Sequence, residues 1–210
     1  MAQNPPLGVM EGFAMLTLVA GLVLFLGAHS VRVFAESWRT ATIAQVGDKG
    51  WKGMYSLVSI AGFVLIVIGY GLARQNPVSL WPQPPVWTRH LAALLTLIAF
   101  VLVTAAYVPR NHLKATLHHP MILGVKVWAF AHLVANNTVA DFLLFGGFLA
   151  WAVLDYRAAR KRDQAAGTVY AAGTAGRTAV TVVVGAAAWA VFAFWLHRLW
   201  IGVQPLGMGA

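Results

Sequence analysis

The sequence contains no cysteine among its 210 residues, and only six residues are acidic. Without cysteine there can be no disulfide, no iron–sulfur cluster, no thiolate zinc site and no cysteine nucleophile. Six scattered carboxylates count against carboxylate-pair catalysis and against a carboxylate-rich di-iron site. The Walker A loop, the Rossmann glycine fingerprint, the Gly-x-Ser-x-Gly elbow and the His-Glu-x-x-His motif are also missing. The sequence therefore gives no support to these enzyme classes.

Apolar residues fill most of the chain, at 60% of its length, whereas charged residues make up 10%. A soluble domain carries roughly 25% charged residues, so this chain has too little charge to cover a water-facing surface. Six apolar runs approach the about 20 residues that a helix needs to cross a bilayer: 13–35, 54–73, 88–108, 121–135, 139–156 and 179–200. The sequence predicts an all-α, polytopic membrane helix bundle of about six transmembrane helices, as one domain over residues 1–210. The short segments four and five form a predicted helical hairpin that need not cross the full bilayer, and 157–177 is a predicted flexible linker.

Lysine and arginine are unevenly distributed, and none precedes Arg32, so the first apolar run lacks the charged start of a signal peptide and is predicted to be retained. One side of the predicted bundle holds three basic residues, Arg74, Arg89 and Arg198, and the other holds Arg32, Arg39, Lys49, Lys52, Arg110, Lys114, Arg157, Arg160, Lys161, Arg162 and Arg177. Basic loops stay in the cytoplasm, so both termini are predicted to face the periplasm of a bacterial inner membrane. The formal charge of +9 then indicates contact with anionic lipid and no binding of nucleic acid.

An ionisable side chain at membrane depth is costly unless it is paired, so each such residue is a functional hypothesis. At the end of segment one, His29, Arg32 and Glu36 are spaced i, i+3 and i+7 and share one helix face, where Arg32 and Glu36 can also pair. A neutral imidazole facing the bundle interior is suited to bind a metal or a haem iron. The alternative is an interfacial histidine that Glu36 holds.

A basic and aromatic rim is predicted on the cytoplasmic side. It consists of residues 107–114, which include Arg110 and His112, together with Trp51 and Lys52. Such a rim can hold the carboxylates of a membrane-buried cofactor or the headgroups of anionic lipids.

Segment four carries two candidate histidines, His119 and His132, that are 13 residues apart. On a helix they point roughly 140° apart and lie about 20 Å apart along the axis, so they cannot easily serve the same site. His132 shares a face with Trp128 in an otherwise apolar stretch and is the stronger candidate. Lys126 can reach the cytoplasmic interface by extending its side chain.

Several motifs occur in a set order: Leu-Gly-Ala-His-Ser-Val-Arg at 26–32, Gly-Trp-Lys-Gly-Met-Tyr-Ser-Leu at 50–57, Arg-Asn-His at 110–112, His-Pro at 119–120 and Trp-Ala-Phe-Ala-His-Leu at 128–133. Over residues 12–200 this set resembles the NnrU family of bacterial membrane proteins, which are linked to nitrite and nitric oxide reduction gene sets. The family is similar to plant zeta-carotene isomerase, a membrane enzyme that uses haem b. The resemblance implies haem b with axial iron ligands at His29 and His132. The isomerase carries a cysteine just before its second histidine, where this sequence has Ala129, so the resemblance supports the haem more than the reaction.

The leading interpretation is a haem b-binding protein associated with nitrite and nitric oxide metabolism, with the haem between segments one and four. Arg32, Lys52 and Arg110 would neutralise the haem propionates, and Trp128 would pack near the haem. Electron transfer with a redox partner, nitric oxide sensing or protection, and redox isomerisation of a hydrophobic substrate all remain open.

The positions of the two histidines present a geometric difficulty for this interpretation. His29 lies near the cytoplasmic end of segment one and His132 toward the outer end of segment four, so their depths differ by something like 10 Å. A tilted or partly inserted hairpin would close the gap. Otherwise His119 or His112 supplies the second ligand, or the iron is five-coordinate.

Two other functions fit parts of the sequence. His119-Pro120 followed by Gly124 and Trp128 resembles the His-Pro-x-x-x-Gly motif of isoprenylcysteine and phospholipid methyltransferases, which bind S-adenosylmethionine, although residues 157–177 lack the glutamates of those enzymes. A non-enzymatic assembly or regulatory membrane partner is the third interpretation. In that case the intramembrane His132 and Lys126 would serve interhelical hydrogen bonds.

Overall fold

The computed structural model describes residues 7–206, and both chain termini, for which a periplasmic location is predicted, lie outside this range. The regular structure within it is helical, apart from one isolated bridge between Ser79 and Thr138. The helices are α1 (Leu7–Phe34), α2 (Glu36–Ala73), α3 (Val86–Tyr107), α4 (His112–Leu117), α5 (Pro120–Ala135), α6 (Val139–Ala166), α7 (Ala175–Val191) and α8 (His197–Ile201), with a π-helical turn at Phe192–Leu196 between the last two. This confirms the predicted all-α architecture.

Five helical stretches in the described part of the chain are long and apolar enough to cross a membrane: Met10–Phe34, Glu36–Ala73, Val86–Tyr107, Val139–Ala166 and Ala175–Ile201. Large apolar side chains on them are exposed, as at Leu16 (72%) and Leu57 (71%), which suits helices that contact lipid. The sixth predicted segment, α5, has only 16 residues. Its length of about 24 Å is shorter than the roughly 30 Å hydrocarbon core.

Two predicted boundaries are wrong because polar residues continue the helices. The second helix begins at Glu36 instead of residue 54 and contains one non-helical residue, Gly47, with φ 74° and ψ 164°. The fifth predicted segment ends at Ala166 instead of residue 156, so it is not short, and the predicted linker is helical over its first ten residues. Alanine, arginine and lysine favour helix as strongly as apolar residues do, and Gly167 with φ 60° follows the end of α6.

The chain divides into two compact units, of which the first contains the residues up to Pro82 together with Thr138–Gly147. Its core is the antiparallel pair of α1 and α2. Glycines allow the two backbones to touch: a Cβ atom on Gly69 would lie 2.3 Å from the Leu18 nitrogen, and one on Gly62 would lie 2.6 Å from the Phe25 nitrogen. From the first contact to the second, the residue number increases on α1 and decreases on α2, so the two helices run in opposite directions.

The start of α6 is fixed within this first unit by a buried carboxylate. The Asp141 side chain accepts hydrogen bonds from the Thr138 hydroxyl at 2.6 Å and from the Tyr70 hydroxyl at 2.5 Å. The Thr138 hydroxyl accepts from the Asp141 amide at 3.2 Å, and the Thr138 amide donates to the Asp141 carboxylate at 3.1 Å, which completes a reciprocal helix cap. Asp141 is therefore satisfied by hydrogen bonds although it is only 6% exposed.

The second unit contains Gln83–Asn137 and the chain from Phe148 onward. Here α3 lies between α5 and α7. Close contact again depends on glycine, since Cβ atoms on Gly124 and Gly185 would lie 3.0 Å from the Ala99 oxygen and 2.7 Å from the Val101 Cα, respectively. Trp128 of α5 packs edge-on against Phe148 of α6 at 5.5 Å between ring centroids, as expected for the predicted hairpin.

Candidate functional site

A pocket of about 280 Å³ lies at the end of α1 in the first unit. The chain breaks its helical path at Ala35 (φ −138°, ψ 41°) and again at Gly47. Residues before and after these breaks therefore line the same pocket. The pocket is lined by Ala28, His29, Val31, Arg32, Arg39, Asp48, Trp51, Lys52 and Tyr55. It brings together three residues predicted for the cofactor site: His29, Arg32 and Lys52.

The His29 ring has a defined orientation within this pocket. Its Nδ1 lies 2.7 Å from the Phe25 carbonyl oxygen, one helical turn earlier, and its ring stacks on the Phe25 ring at 4.2 Å. The ring of Tyr55, on α2, lies 5.2 Å from the His29 ring, measured between ring centroids. Because a carbonyl only accepts, Nδ1 carries the proton in the neutral ring, and Nε2 is the nitrogen with the metal-binding lone pair.

The charged side chains of the pocket form pairs of unequal strength. Arg39 donates to a Glu36 carboxylate oxygen at 3.1 Å, and Arg32 lies 3.9 Å from the other oxygen, which confirms the predicted Arg32–Glu36 pair. Lys52 lies 4.0 Å from Asp48, and both of these side chains are about three-quarters exposed. Water screens such an exposed pair almost completely, so the lysine–aspartate contact contributes little to the fold.

His132, on α5 in the second unit, has a closely similar environment. Its Nδ1 lies 2.8 Å from the Trp128 carbonyl oxygen, again one turn earlier. The Trp128 ring packs against the His132 ring at 5.2 Å, and the His132 carbonyl accepts from the Asn136 side chain at 2.8 Å. The same Nδ1 contact assigns the same tautomer as at His29, with Nε2 unprotonated. Joint ligation of one iron by His29 and His132 stays a prediction.

His119, predicted as a cofactor residue, belongs to a polar cluster of the second unit. One Asp163 carboxylate oxygen accepts from His119 Nε2 at 2.8 Å, from Arg160 at 3.2 Å and from the Tyr170 hydroxyl at 2.9 Å. Arg160 also contacts His118 Nδ1, and the His118 ring stacks on Tyr170 at 4.4 Å. The cluster ties the segment after α6 to the start of α5.

Arg110 and His112 lie at a backbone junction in the same unit. The Arg110 carbonyl accepts from the Thr174 amide at 2.9 Å, and the His112 amide donates to the Thr178 hydroxyl at 3.0 Å. Arg110 has a positive φ of 57°, which non-glycine residues adopt at a cost and which marks a constrained turn. These main-chain contacts give the Arg-Asn-His motif a folding role, and a cofactor role for its side chains stays a prediction.

The contribution of Tyr170 in the polar cluster to the stability of the protein is predicted to depend on pH. Burial, together with the neighbouring Asp163 carboxylate, raises the pKa of Tyr170 to about 12, from a usual value of about 10. A raised pKa favours the protonated phenol, so its contribution to stability is complete below about pH 10 and is lost as the pH rises toward about 12. The stability difference between the protein and Tyr170→Phe should therefore shrink across that range. The exposed Tyr107→Phe is the matched control, and a constant difference would contradict the prediction.

Arg39, Asp48 and Tyr55 line the pocket but were not predicted to do so. Arg39 and Asp48 lie between the first two apolar runs, where no helix was predicted, and Tyr55 lies at the start of the second run. The helical spacing of Asp48, Trp51, Lys52 and Tyr55, at i, i+3, i+4 and i+7, would have placed them on one face. Within residues 7–206, no group of three or more histidines and acids could hold a metal ion by itself. A haem iron needs only one or two axial side chains, because the porphyrin supplies its other ligands.

Within residues 7–206, five membrane-length helices with basic residues near their ends define a polytopic α-helical membrane protein. The family model for NnrU protein matches residues 17–205, and the chain belongs to that family. The match confirms the resemblance seen in the ordered motifs. No curated protein and no solved structure matches the chain.

Proposed function

We propose that this NnrU-type protein binds haem b, with His29 and His132 as axial-ligand histidines. The observation that carries the proposal is the repeated setting of the two rings. In each, Nδ1 faces the carbonyl oxygen one turn earlier at 2.7–2.8 Å, and an aromatic ring of that same residue packs on the imidazole. Ligating histidines characteristically donate their second N–H to a carbonyl or carboxylate, which fixes the tautomer and the ring orientation.

The residues around His29 suit haem b in charge and in polarity. The pocket lining carries three cations, Arg32, Arg39 and Lys52, against the single carboxylate of Asp48, and haem b presents two propionates. Its volume of about 280 Å³ is below the ~300–1,000 Å³ of pockets that enclose drug-sized ligands. It would therefore receive the propionate edge and the axial side of the haem, with the apolar edge left to lipid or to apolar side chains.

The roles of the individual residues follow from their contacts. Arg32 and Lys52 would neutralise propionates, while Phe25 and Trp128 would keep the two imidazoles in place through ring contacts and through their carbonyl oxygens. When bound, haem supplies one-electron redox chemistry and an iron able to bind small ligands, and its potential depends on axial ligation and burial. A role in nitrite and nitric oxide metabolism agrees with the gene sets to which the family is linked. The charge bias of the loops supports an inner-membrane location with periplasmic termini.

The test is the absorption spectrum of the full chain, purified in detergent after expression with ample haem and recorded oxidised and dithionite-reduced. The expected spectrum has a Soret band and sharp reduced α and β bands. His29→Ala and His132→Ala should each lose or shift these bands, whereas His90→Ala, at an exposed histidine of α3, should not. Loss of low-spin character in both variants would indicate that both histidines serve the same iron. A featureless spectrum of the unmutated protein would end the haem proposal.

No feature of the described residues supports a methyltransferase in the way that the setting of the two histidines supports haem binding. Pro120 is fully buried at the start of α5, and Gly124 lets that helix approach Ala99 of α3. Helix packing therefore accounts for both motif positions without a methyl donor. Binding of S-adenosylmethionine is the measurement to make if haem is absent, and a non-enzymatic membrane partner is the remaining proposal if neither ligand binds.

A further inference from the structure

We infer that Arg39, held against Trp51, is the principal carboxylate-binding residue of the His29 pocket, and that its ligand is a haem propionate. The inference rests on the proposed function, because it takes the ligand of the pocket to be haem b. It deepens that function by assigning the anionic edge of the ligand to a specific wall of the pocket. Neither Arg39 nor Trp51 is required by the axial ligation itself.

The two residues meet because the chain turns back on itself. Arg39 precedes the non-helical Gly47 and Trp51 follows it. The guanidinium carbon of Arg39 lies 5.8 Å from the centre of the Trp51 ring, and the Trp38 ring also packs against Trp51, edge-on, at 5.8 Å. Both sides of the turn therefore contribute to one wall, which is built by tertiary contacts rather than by one helix.

Among the three cations of the pocket, Arg39 is the least exposed. Its side chain is 28% exposed, compared with 58% for Arg32 and 75% for Lys52. Water weakens the attraction of an exposed cation for an anion, and it does so less where the cation is partly buried. Arg39 should therefore bind a carboxylate more strongly than either neighbour.

The Arg39 side chain is also held in position before a ligand arrives. One guanidinium nitrogen donates to Glu36 at 3.1 Å, while the indole supports the guanidinium in a cation–π contact. A guanidinium has five N–H donors in a planar fork that matches a carboxylate, so the bond to Glu36 leaves capacity for a second anion. Because its position is already set, little side-chain entropy is lost on binding.

Glu36 already accepts a hydrogen bond from Arg39 and could therefore compete with a propionate for it. The net charge of the pocket indicates that Glu36 is not the only anion that Arg39 can bind. Counting Glu36 with the lining residues gives three cations, Arg32, Arg39 and Lys52, and two carboxylates, Glu36 and Asp48. The difference is one net positive charge. The pocket therefore still attracts an anion when its own carboxylates are ionised.

A chemical double-mutant cycle tests this assignment on the full chain in detergent. Arg39→Ala and the unmutated protein are each loaded with haem b and with haem b dimethyl ester, whose propionates carry no charge. The readout is the rate of haem transfer to excess apomyoglobin. Arg39→Ala should release haem b about tenfold faster, and it should change release of the ester by less than twofold. Arg39→Lys, which keeps the charge but loses the fork, should be intermediate. Lys49→Ala, which removes a nearby charge outside the pocket lining, should release both haems at the unmutated rate.

Two results would overturn the inference while leaving the proposed function intact. Equal acceleration for both haems would mean that Arg39 does not bind a propionate. An effect of Arg39→Ala that appears only in nanodiscs containing anionic lipid, and is the same for both haems, would assign Arg39 to a lipid phosphate. If the unmutated protein takes up neither haem, the proposed function fails and the inference fails with it.

Discussion

Replacing Gly69 by leucine should prevent the close packing of α1 and α2 and should destabilise the protein by about 3 kcal/mol or more. A Cβ atom at this position would lie 2.3 Å from the Leu18 nitrogen and 2.7 Å from its Cα. Both are backbone atoms, which cannot rotate away as a side chain can, so α1 must move as a whole. For a chain of this size the expected fall in Tm is roughly 6–12 °C. The nine tryptophans provide the fluorescence signal for thermal unfolding in detergent.

Gly71→Leu is the matched control for this prediction. It lies on the same helix two residues away, and a Cβ atom there would meet nothing within 4 Å. This variant exchanges one exposed glycine for a better helix former, so its stability should be unchanged or slightly raised. Equal destabilisation of the two variants would show that loss of glycine as such, and not the contact with Leu18, is responsible. Because His29 lies on α1 and Trp51 on α2, the Gly69→Leu variant should also disrupt the His29 pocket and with it the proposed haem binding.

The membrane helices could be predicted from the sequence because burial in lipid leaves a direct signal: an uninterrupted apolar run of sufficient length. The helical stretches 36–46 and 157–166 gave no such signal. They carry charged residues and pack through tertiary contacts, for instance Arg39 with Trp51 and Asp163 with His119. Hydrophobicity cannot separate a polar helix from a loop. Helix propensity, which is high in the Ala-Ala-Arg-Lys-Arg stretch at 158–162, was the better guide there.

Some residues of the candidate site could likewise be predicted from the sequence, and others could not. The neighbouring positions of His29 and Arg32 could be predicted because spacing along one helix fixes which side chains are neighbours. Glu36 was predicted to lie on the same helix face, but α1 ends at Phe34 and Glu36 begins α2 after the break at Ala35.

Arg39 could not be predicted, since it reaches the pocket only because the chain reverses near Gly47. Tyr55 could have been placed there from its helical spacing relative to Lys52. Gly47 has φ 74°, a conformation that glycine adopts without the steric cost borne by other residues. One backbone angle therefore decides which side chains surround His29.

Asn111→Ala should be nearly as damaging as the change at Gly69, although it removes only a small polar side chain. Asn111 is fully buried. Its amide nitrogen donates to the carbonyl oxygens of Ala105 at 2.9 Å and Val108 at 2.6 Å, and its oxygen accepts from the Lys114 amide at 2.8 Å. The bond to the Ala105 oxygen is buried, and the other two are partly buried. A buried main-chain group left without a partner costs about 1–3 kcal/mol. A partly buried group costs less, so the expected destabilisation is roughly 2–4 kcal/mol. It should be measured as a fall in the midpoint of thermal unfolding.

Two further variants separate the loss of these hydrogen bonds from a general sensitivity to substitution. Asn76→Ala, at an exposed asparagine between α2 and α3, should change stability by less than about 0.5 kcal/mol. Asn111→Asp keeps the acceptor for the Lys114 amide but loses both donors, so it should be destabilised, and lowering the pH should restore part of the loss because a protonated carboxyl can donate once. If Asn111→Ala behaved like Asn76→Ala, the junction between α3 and α4 would not depend on this side chain. The Arg-Asn-His motif at 110–112 would then need an explanation other than folding, and binding by Arg110 and His112 would become the stronger one.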